Sequence, residues 1–170
     1  MTEITRDEHW MQLAYAQAAH AANLGEIPVG AVLVSQNQVI GAGYNHPIAS
    51  HDPTAHAEIQ AIRMACQQLN NYRLPEDSVL YVTLEPCTMC VGALIHARVS
   101  RVVFGATEPK AGSLVSARNL FATGYYNHVF AVESGCLAEQ CSSQLSDFFK
   151  MRRAQKRELK LKQKQDLHTP

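Results

Sequence analysis

The chain has 170 residues, 46% of them hydrophobic and 18% charged, a composition that suits one soluble globular domain with a sizeable core rather than two domains. No apolar run approaches the roughly 20 residues of a membrane-spanning helix, and Met1 to Glu8 lacks the apolar core of a secretory signal, so a cytoplasmic protein with no membrane association is expected. The net charge of zero hides an asymmetry: eight of the fifteen Lys and Arg, but two of the fifteen acids, fall in residues 150–170. Residues 1–149 therefore read as one folded domain carrying −6, and residues 150–170 as a basic helix or tail carrying +6, its last residues flexible. Such an end fits a polyanionic partner, and it also fits a plain solvated helix.

In chain order, Thr5 and Glu8 have the spacing of a capping box, and the Ala-rich run after them reads as a helix ending near Gly25. Val29 to Val34 and Val39 to Tyr44 read as strands, joined by a hairpin through Gln36-Asn37-Gln38. Asn45 to His51 reads as loop, and Asp52-Pro53 as the start of a helix running to about Leu69. A strand is expected at Val79 to Thr83, a helix from Pro86 to about Ala97, strands at Arg101 to Gly105 and near Val129 to Val132, and a long helix after Gly135. Strands and helices alternating in this way predict an α/β fold, a three-layer α/β/α sandwich around a mixed sheet. The segment Thr88 to Ala97 is apolar on nearly every face, so it is to be covered on all sides, by its own chain or by a second subunit.

Five cysteines, an odd number, argue against a disulfide framework and for metal binding or burial. Cys87 and Cys90 sit one helical turn apart at a predicted helix start, and His56 opens another with Glu58 two residues on. One imidazole and two thiolates form a soft ligand set suited to zinc. Three protein ligands leave a fourth tetrahedral position for water, which marks a catalytic site, and zinc brings the pKa of such a water to about 7. Glu58 is then the natural proton shuttle, provided that the first turn presents His56 and Glu58 to one cavity. A thiol–disulfide pair and a structural zinc site in an RNA-binding module are the rival readings, and no fourth Cys or His suggests itself for the latter. Cys66, Cys136 and Cys141 read as small apolar core residues. His9, His20, His46, His96 and His168 read as surface or packing residues, and His51 and His128 as loop residues with structural roles.

Taken in order, His56-Ala57-Glu58 and Pro86-Cys87-Thr88-Met89-Cys90 resemble the His-x-Glu and Pro-Cys-x-x-Cys signature of the cytidine deaminase superfamily. The resemblance extends through Pro28 to Val32, His51 to Glu58, Leu80 to Cys87, Arg101 to Ala106 and Leu145 to Arg153, and is strongest to the family of tRNA-specific adenosine deaminases. It implies a five-stranded sheet, a homodimer with composite active sites and one zinc per subunit. The implied reaction is hydrolytic deamination of the wobble adenosine to inosine in the anticodon loop of an arginine tRNA with anticodon ACG, with release of ammonia. Carried over residue by residue, His56, Cys87 and Cys90 match the zinc ligands and Glu58 the proton shuttle. Asn45 matches a contact to the target nucleoside, Ala106 and Glu108 fall in the loop lining the anticodon, and Arg152 and Arg153 match substrate contacts near the carboxy terminus. Two departures stand out: Glu108 occupies a position where Asp is common, and Lys110-Ala111-Gly112-Ser113-Leu114 is shorter than the family's usual loop. A deaminase of a free base or nucleotide would share the same zinc core without needing the basic tail.

Overall fold

The computed structural model describes residues 3–166, with the side chains of residues 6–165. The side chain of Thr5, expected to cap the first helix, and His168 with its neighbours in the tail lie outside the described residues. Helix α1 (Glu3–Asn23) leads into the hairpin β1 (Gly30–Ser35) and β2 (Gln38–Tyr44). A one-turn helix α2 (Pro47–Ser50), helix α3 (Ala57–Leu69) and strand β3 (Val79–Leu84) follow. The chain continues through α4 (Thr88–Ala97), β4 (Arg101–Ala106), a 3-10 turn (Leu120–Thr123), β5 (Ala131–Ser134) and α5 (Ala138–Asp166). Helix α5 crosses positions 149 and 150 without a break.

The hairpin turn is tight. Gln36 and Asn37 both have positive φ, at 48° and 59°, the conformation a two-residue turn needs to match the twist of its strands. The sheet order is β2-β1-β3-β4-β5. Strand β1 runs antiparallel to β2 and β3, whereas β3, β4 and β5 are parallel, so the sheet is mixed as expected. Apolar residues alternate through β1, β3 and β4, and each sheet face gains its own core. Leu33, Leu80, Val82 and Phe104 pack with Ala61 and Ala65 of α3 and Val91 and Leu94 of α4. Val32, Tyr81 and Val103 pack with Met11 and Ala14 of α1 and Cys141 of α5. These two layers of helices complete the α/β/α sandwich.

Two local expectations give way. The loop after β2 holds the short helix α2, whose Ala49 and Ile48 N–H groups are taken by the buried Glu26 carboxylate. No helix starts at Asp52; its carboxylate instead accepts hydrogen bonds from the Thr54 N–H and hydroxyl, at 2.8 and 2.7 Å. That local turn competes with helical hydrogen bonding and delays α3 to Ala57. Within this one chain α4 leaves Thr88, Met89 and His96 exposed, beside the half-buried Gly92 and Ala93. Among the remaining cysteines, Cys141 is buried while Cys66 and Cys136 are half-buried.

Helix α3 lies unusually close to the sheet. A Cβ at Gly43 would sit 2.3 Å from the Ala57 carbonyl oxygen and 2.6 Å from the Ala61 nitrogen. Only glycine on β2 allows the first turn of α3 to rest there, and this contact sets where His56 and Glu58 stand.

Candidate active site

The parallel strands β3 and β4 end on the same side, and the amino termini of α3 and α4 meet just beyond β3, where open α/β sheets commonly bind ligands. His56 is the residue before α3, with extended backbone (φ −77°, ψ 153°), and Cys87 stands in the same relation to α4 (φ −78°, ψ 172°). Because His56 is not yet helical, it does not diverge from Glu58 as two residues on one helix would. Both line a single cavity. A helix reaching back to Asp52 would have turned them apart.

His56 Nδ1 lies 3.7 Å from Cys87 Sγ and 3.6 Å from Cys90 Sγ. Zinc with tetrahedral angles, bonded to nitrogen at about 2.0–2.1 Å and to sulfur at about 2.3 Å, would separate those atoms by about 3.6 Å. The donor set therefore fits zinc in size as well as in chemistry. Among the described residues these three are the only group of His, Cys, Asp or Glu placed to share an ion, so no fourth protein ligand closes the site.

The electrostatics are uneven. A hydrogen bond from the Cys90 thiol, opposed by burial and aided by His56, brings the Cys87 thiol down to about 4. The same contact with Cys87, reinforced by burial, holds the Cys90 thiol well up. The hydrogen bond to Cys87 raises His56, against the effect of burial. The two helix amino termini favour negative charge on the sulfurs. Glu58 is 3% exposed, and burial pushes its carboxyl up to about 7; its own N–H and the Cys90 thiol do not offset that.

The cavity of about 230 Å³ is lined by apolar side chains, among them Ile27, Val29, Leu84, Leu145 and Phe149, around Asn45, His56, Glu58, Glu85, Cys87 and Glu108. Asn45 is buried, and its side-chain oxygen accepts the Ala57 N–H at 2.8 Å. It thus satisfies an orphan donor of α3 that a local cap would otherwise take, and its amide nitrogen has no hydrogen bond among the described residues.

Not every residue expected at the site is there. Glu108 lines the cavity, but Ala106 does not; it packs with the α1 and α5 side of the sheet. Arg152 and Arg153 are exposed on α5, the Arg152 guanidinium lying 6.0 Å from the centre of the Phe148 ring, while Leu145 and Phe149 of that helix reach the cavity. His51 is exposed at the end of α2, and His128 Nε2 bonds the Val99 carbonyl, away from the site.

Glu85 carried no expected role, although it directly precedes Pro86-Cys87. It is 2% exposed, and its carboxylate accepts the N–H groups of Glu108, Leu114, Val115 and Ser116 together with the Ser116 hydroxyl. Burial raises its pKa, but these donors outweigh it and hold the carboxyl below its usual range. An acid next to a metal motif was the only sequence signal of its importance.

The model of the cytidine and deoxycytidylate deaminase zinc-binding region matches residues 4–106. The chain belongs to that family. A tRNA-specific adenosine deaminase of Haemophilus influenzae is 51% identical over 152 residues, covering 89% of this chain and 87% of the relative. That of Bacillus subtilis is 43% identical over 154 residues, covering 91% and 95%. A structure from a study of A-to-I editing by tRNA:A34 deaminases at the wobble position of transfer RNA superposes with a TM-score of 0.78 at 43% identity, covering 81% of this chain and 99% of that one. A guanine deaminase from Bacillus subtilis superposes with a TM-score of 0.56 at 43% identity, covering 59% of this chain and 64% of that one. The deaminase fold of this chain is built on the mixed five-stranded sheet. Among the described residues, no helix is long and apolar enough to cross a membrane.

Proposed function

We propose that the protein deaminates the wobble adenosine of a tRNA anticodon loop to inosine, with the arginine tRNA of anticodon ACG as its substrate and ammonia as the second product. The observation that carries the chemistry is the buried Glu58 carboxyl in the same cavity as the open His56, Cys87 and Cys90 set. In this reading those three residues would hold one zinc per subunit, which would supply an acidified water. Glu58, poised by burial near neutral pH, suits proton transfer in both directions. It takes a proton from the attacking water and gives it to the ring nitrogen beside the reacting carbon. It then carries the water's remaining proton to the amino group, which leaves as ammonia. Asn45 turns its amide towards the nucleoside, and the apolar walls exclude competing water. An anticodon base is already in a loop, so moving it into the cavity costs less than opening a duplex.

The RNA part of the reading is supported by the exposed second half of α5. Arg153, Arg157 and Lys160 recur at four- and three-residue spacing on one face, beside Arg152 and Lys156, a row of cations suited to phosphates. Residues 1–149 then act as the catalytic domain, and residues 150–170 as an arm that grips the tRNA, in the cytoplasm where that tRNA is used. Glu108, on the cavity wall, frames the approach of the neighbouring nucleotides. The open, largely apolar stripe of α4 around Met89 and Ala93 supports pairing with a second copy into a homodimer.

The test is to incubate the enzyme separately with that arginine tRNA, adenosine, cytidine and guanine, and to measure inosine in the RNA and ammonia release. Inosine at the wobble position with little turnover of free adenosine is expected, and Asn45→Ala should slow it without loss of zinc. Rapid deamination of guanine or cytidine with unmodified tRNA would overturn the RNA reading.

A further inference from the structure

The loop from Thr107 to Ala117 has no regular secondary structure beyond one isolated bridge between Cys87 and Gly112, yet it supplies Glu108 and Ala111 to the cavity wall. Something must hold it. The N–H groups of Leu114, Val115 and Ser116 converge on one oxygen of Glu85, at 3.2, 2.7 and 2.9 Å. The other oxygen takes the Glu108 N–H at 3.0 Å and the Ser116 hydroxyl. Consecutive N–H groups turned to one point form an anion nest, and here the anion is a side chain of the protein itself. The fit is close: a Cβ at Gly112 would stand 2.4 Å from both Glu85 Cδ and Oε2. Gly112 is thus the one residue type that lets the loop close over this carboxylate.

With both oxygens saturated by donors, Glu85 has no lone pair directed at a substrate proton. Its place is at the C-terminal end of β3, immediately before the Pro86-Cys87 turn, where its N–H is bonded to the Ala106 carbonyl at 2.9 Å. It therefore ties the loop to the strand that carries the metal-ligand turn. We propose that Glu85 is a positioning residue for RNA: its carboxylate plugs the nest of the 107–117 loop, sets Glu108 and Ala111 against the incoming nucleotides, and so governs substrate affinity rather than the chemical step. This rests on the proposed function above for the identity of the substrate, but the anchor itself does not.

Glu85→Gln places an amide NH2 against N–H donors on one of the two sides. Gly112→Ala attacks the same contact from the loop. Each variant should bind zinc as the parent does and raise KM for the arginine tRNA by about tenfold or more, the worth of a broken charge-assisted hydrogen bond, while kcat changes by less than about threefold. The double variant should do no worse than the poorer single one, since both break one contact. Hydrogen exchange supplies a readout independent of the substrate: the amides of Glu108 and of Leu114 to Ser116 should lose protection in both variants, with those of β1 and β3 unchanged. If the parent leaves tRNA unmodified, the proposed function falls while the exchange experiment still decides the anchor. Unchanged exchange in the loop, strictly additive effects, or a loss confined to kcat would overturn the role assigned to Glu85.

Discussion

Glu58 and Glu85 line the same cavity, at 3% and 2% exposure, yet they are opposite kinds of acid. Glu58 meets few donors, and burial lifts its carboxyl to about 7. Glu85 meets four backbone N–H groups and a hydroxyl, and stays ionised below its usual range in spite of burial. Burial alone therefore does not tell a proton carrier from a structural anchor. The number of donors aimed at the carboxylate does.

The strongest way to break this contrast is to remove the carboxylate that is free to exchange protons. Glu58→Gln should reduce turnover by at least about 10²–10⁴-fold while metal analysis still finds zinc, because Glu58 is not in the ligand set. His56→Ala or Cys87→Ala should lose both metal and activity, and a chelator applied to the parent should reproduce that loss. A Glu58→Gln enzyme working at a near-normal rate would mean that its raised pKa reflects burial and nothing more.

A third buried acid, Asp7 of α1, stands against β3 and β4. Asp7 receives a hydrogen bond from Tyr81 at 2.7 Å and an ion pair from Arg101 at 2.5 Å, with Glu133 on the other side of that guanidinium at 2.8 Å. Burial raises the Asp7 carboxyl, but Arg101 and Tyr81 together hold it below the usual value. A lowered folded pKa means stability that is complete above the unfolded value near 4 and is lost as pH falls through the folded value. Asp7→Asn should then cost about 1–2 kcal/mol at neutral pH, and its deficit relative to the parent should shrink in acid, as measured by denaturant unfolding at pH 7 and pH 3. Zinc content should not follow.

The smallest expected effect lies on α5. Removing the residues after Met151 should leave zinc and kcat near the parent's and weaken tRNA binding. The log–log slope of affinity against salt should flatten by somewhat less than one unit for each phosphate that the arm no longer neutralises. Affinity unaltered at every salt concentration would return this segment to a solvated helix.

The Cys87 and Cys90 pair and the His56 and Glu58 pair are legible in the sequence because each is a local motif, within one turn of the chain. Strand and helix order is legible for a related reason: hydrophobic periodicity is set residue by residue, so β1, β3 and α4 fall within a residue or two of where they are expected. The start of α3 is not, since Asp52-Pro53 satisfies the rules for a helix start and only the bonds to Thr54 divert it.

By itself the sequence determined the candidate ligand types, their order and the basic end, all of which depend on residue identity and short spacing. Tertiary structure alone decided which groups share the cavity. Asn45 takes the Ala57 N–H from 12 residues away, and Glu85 gathers the loop from 23 to 31 residues away. Ala106 turns to the far side of the sheet, and Phe149 arrives from α5. These contacts join segments with no common periodicity, through backbone N–H groups that every residue but proline carries. No pattern of side chains along the chain could announce them, because it is the packing of α3, α4 and the loop around β3 that brings donor and carboxylate within reach.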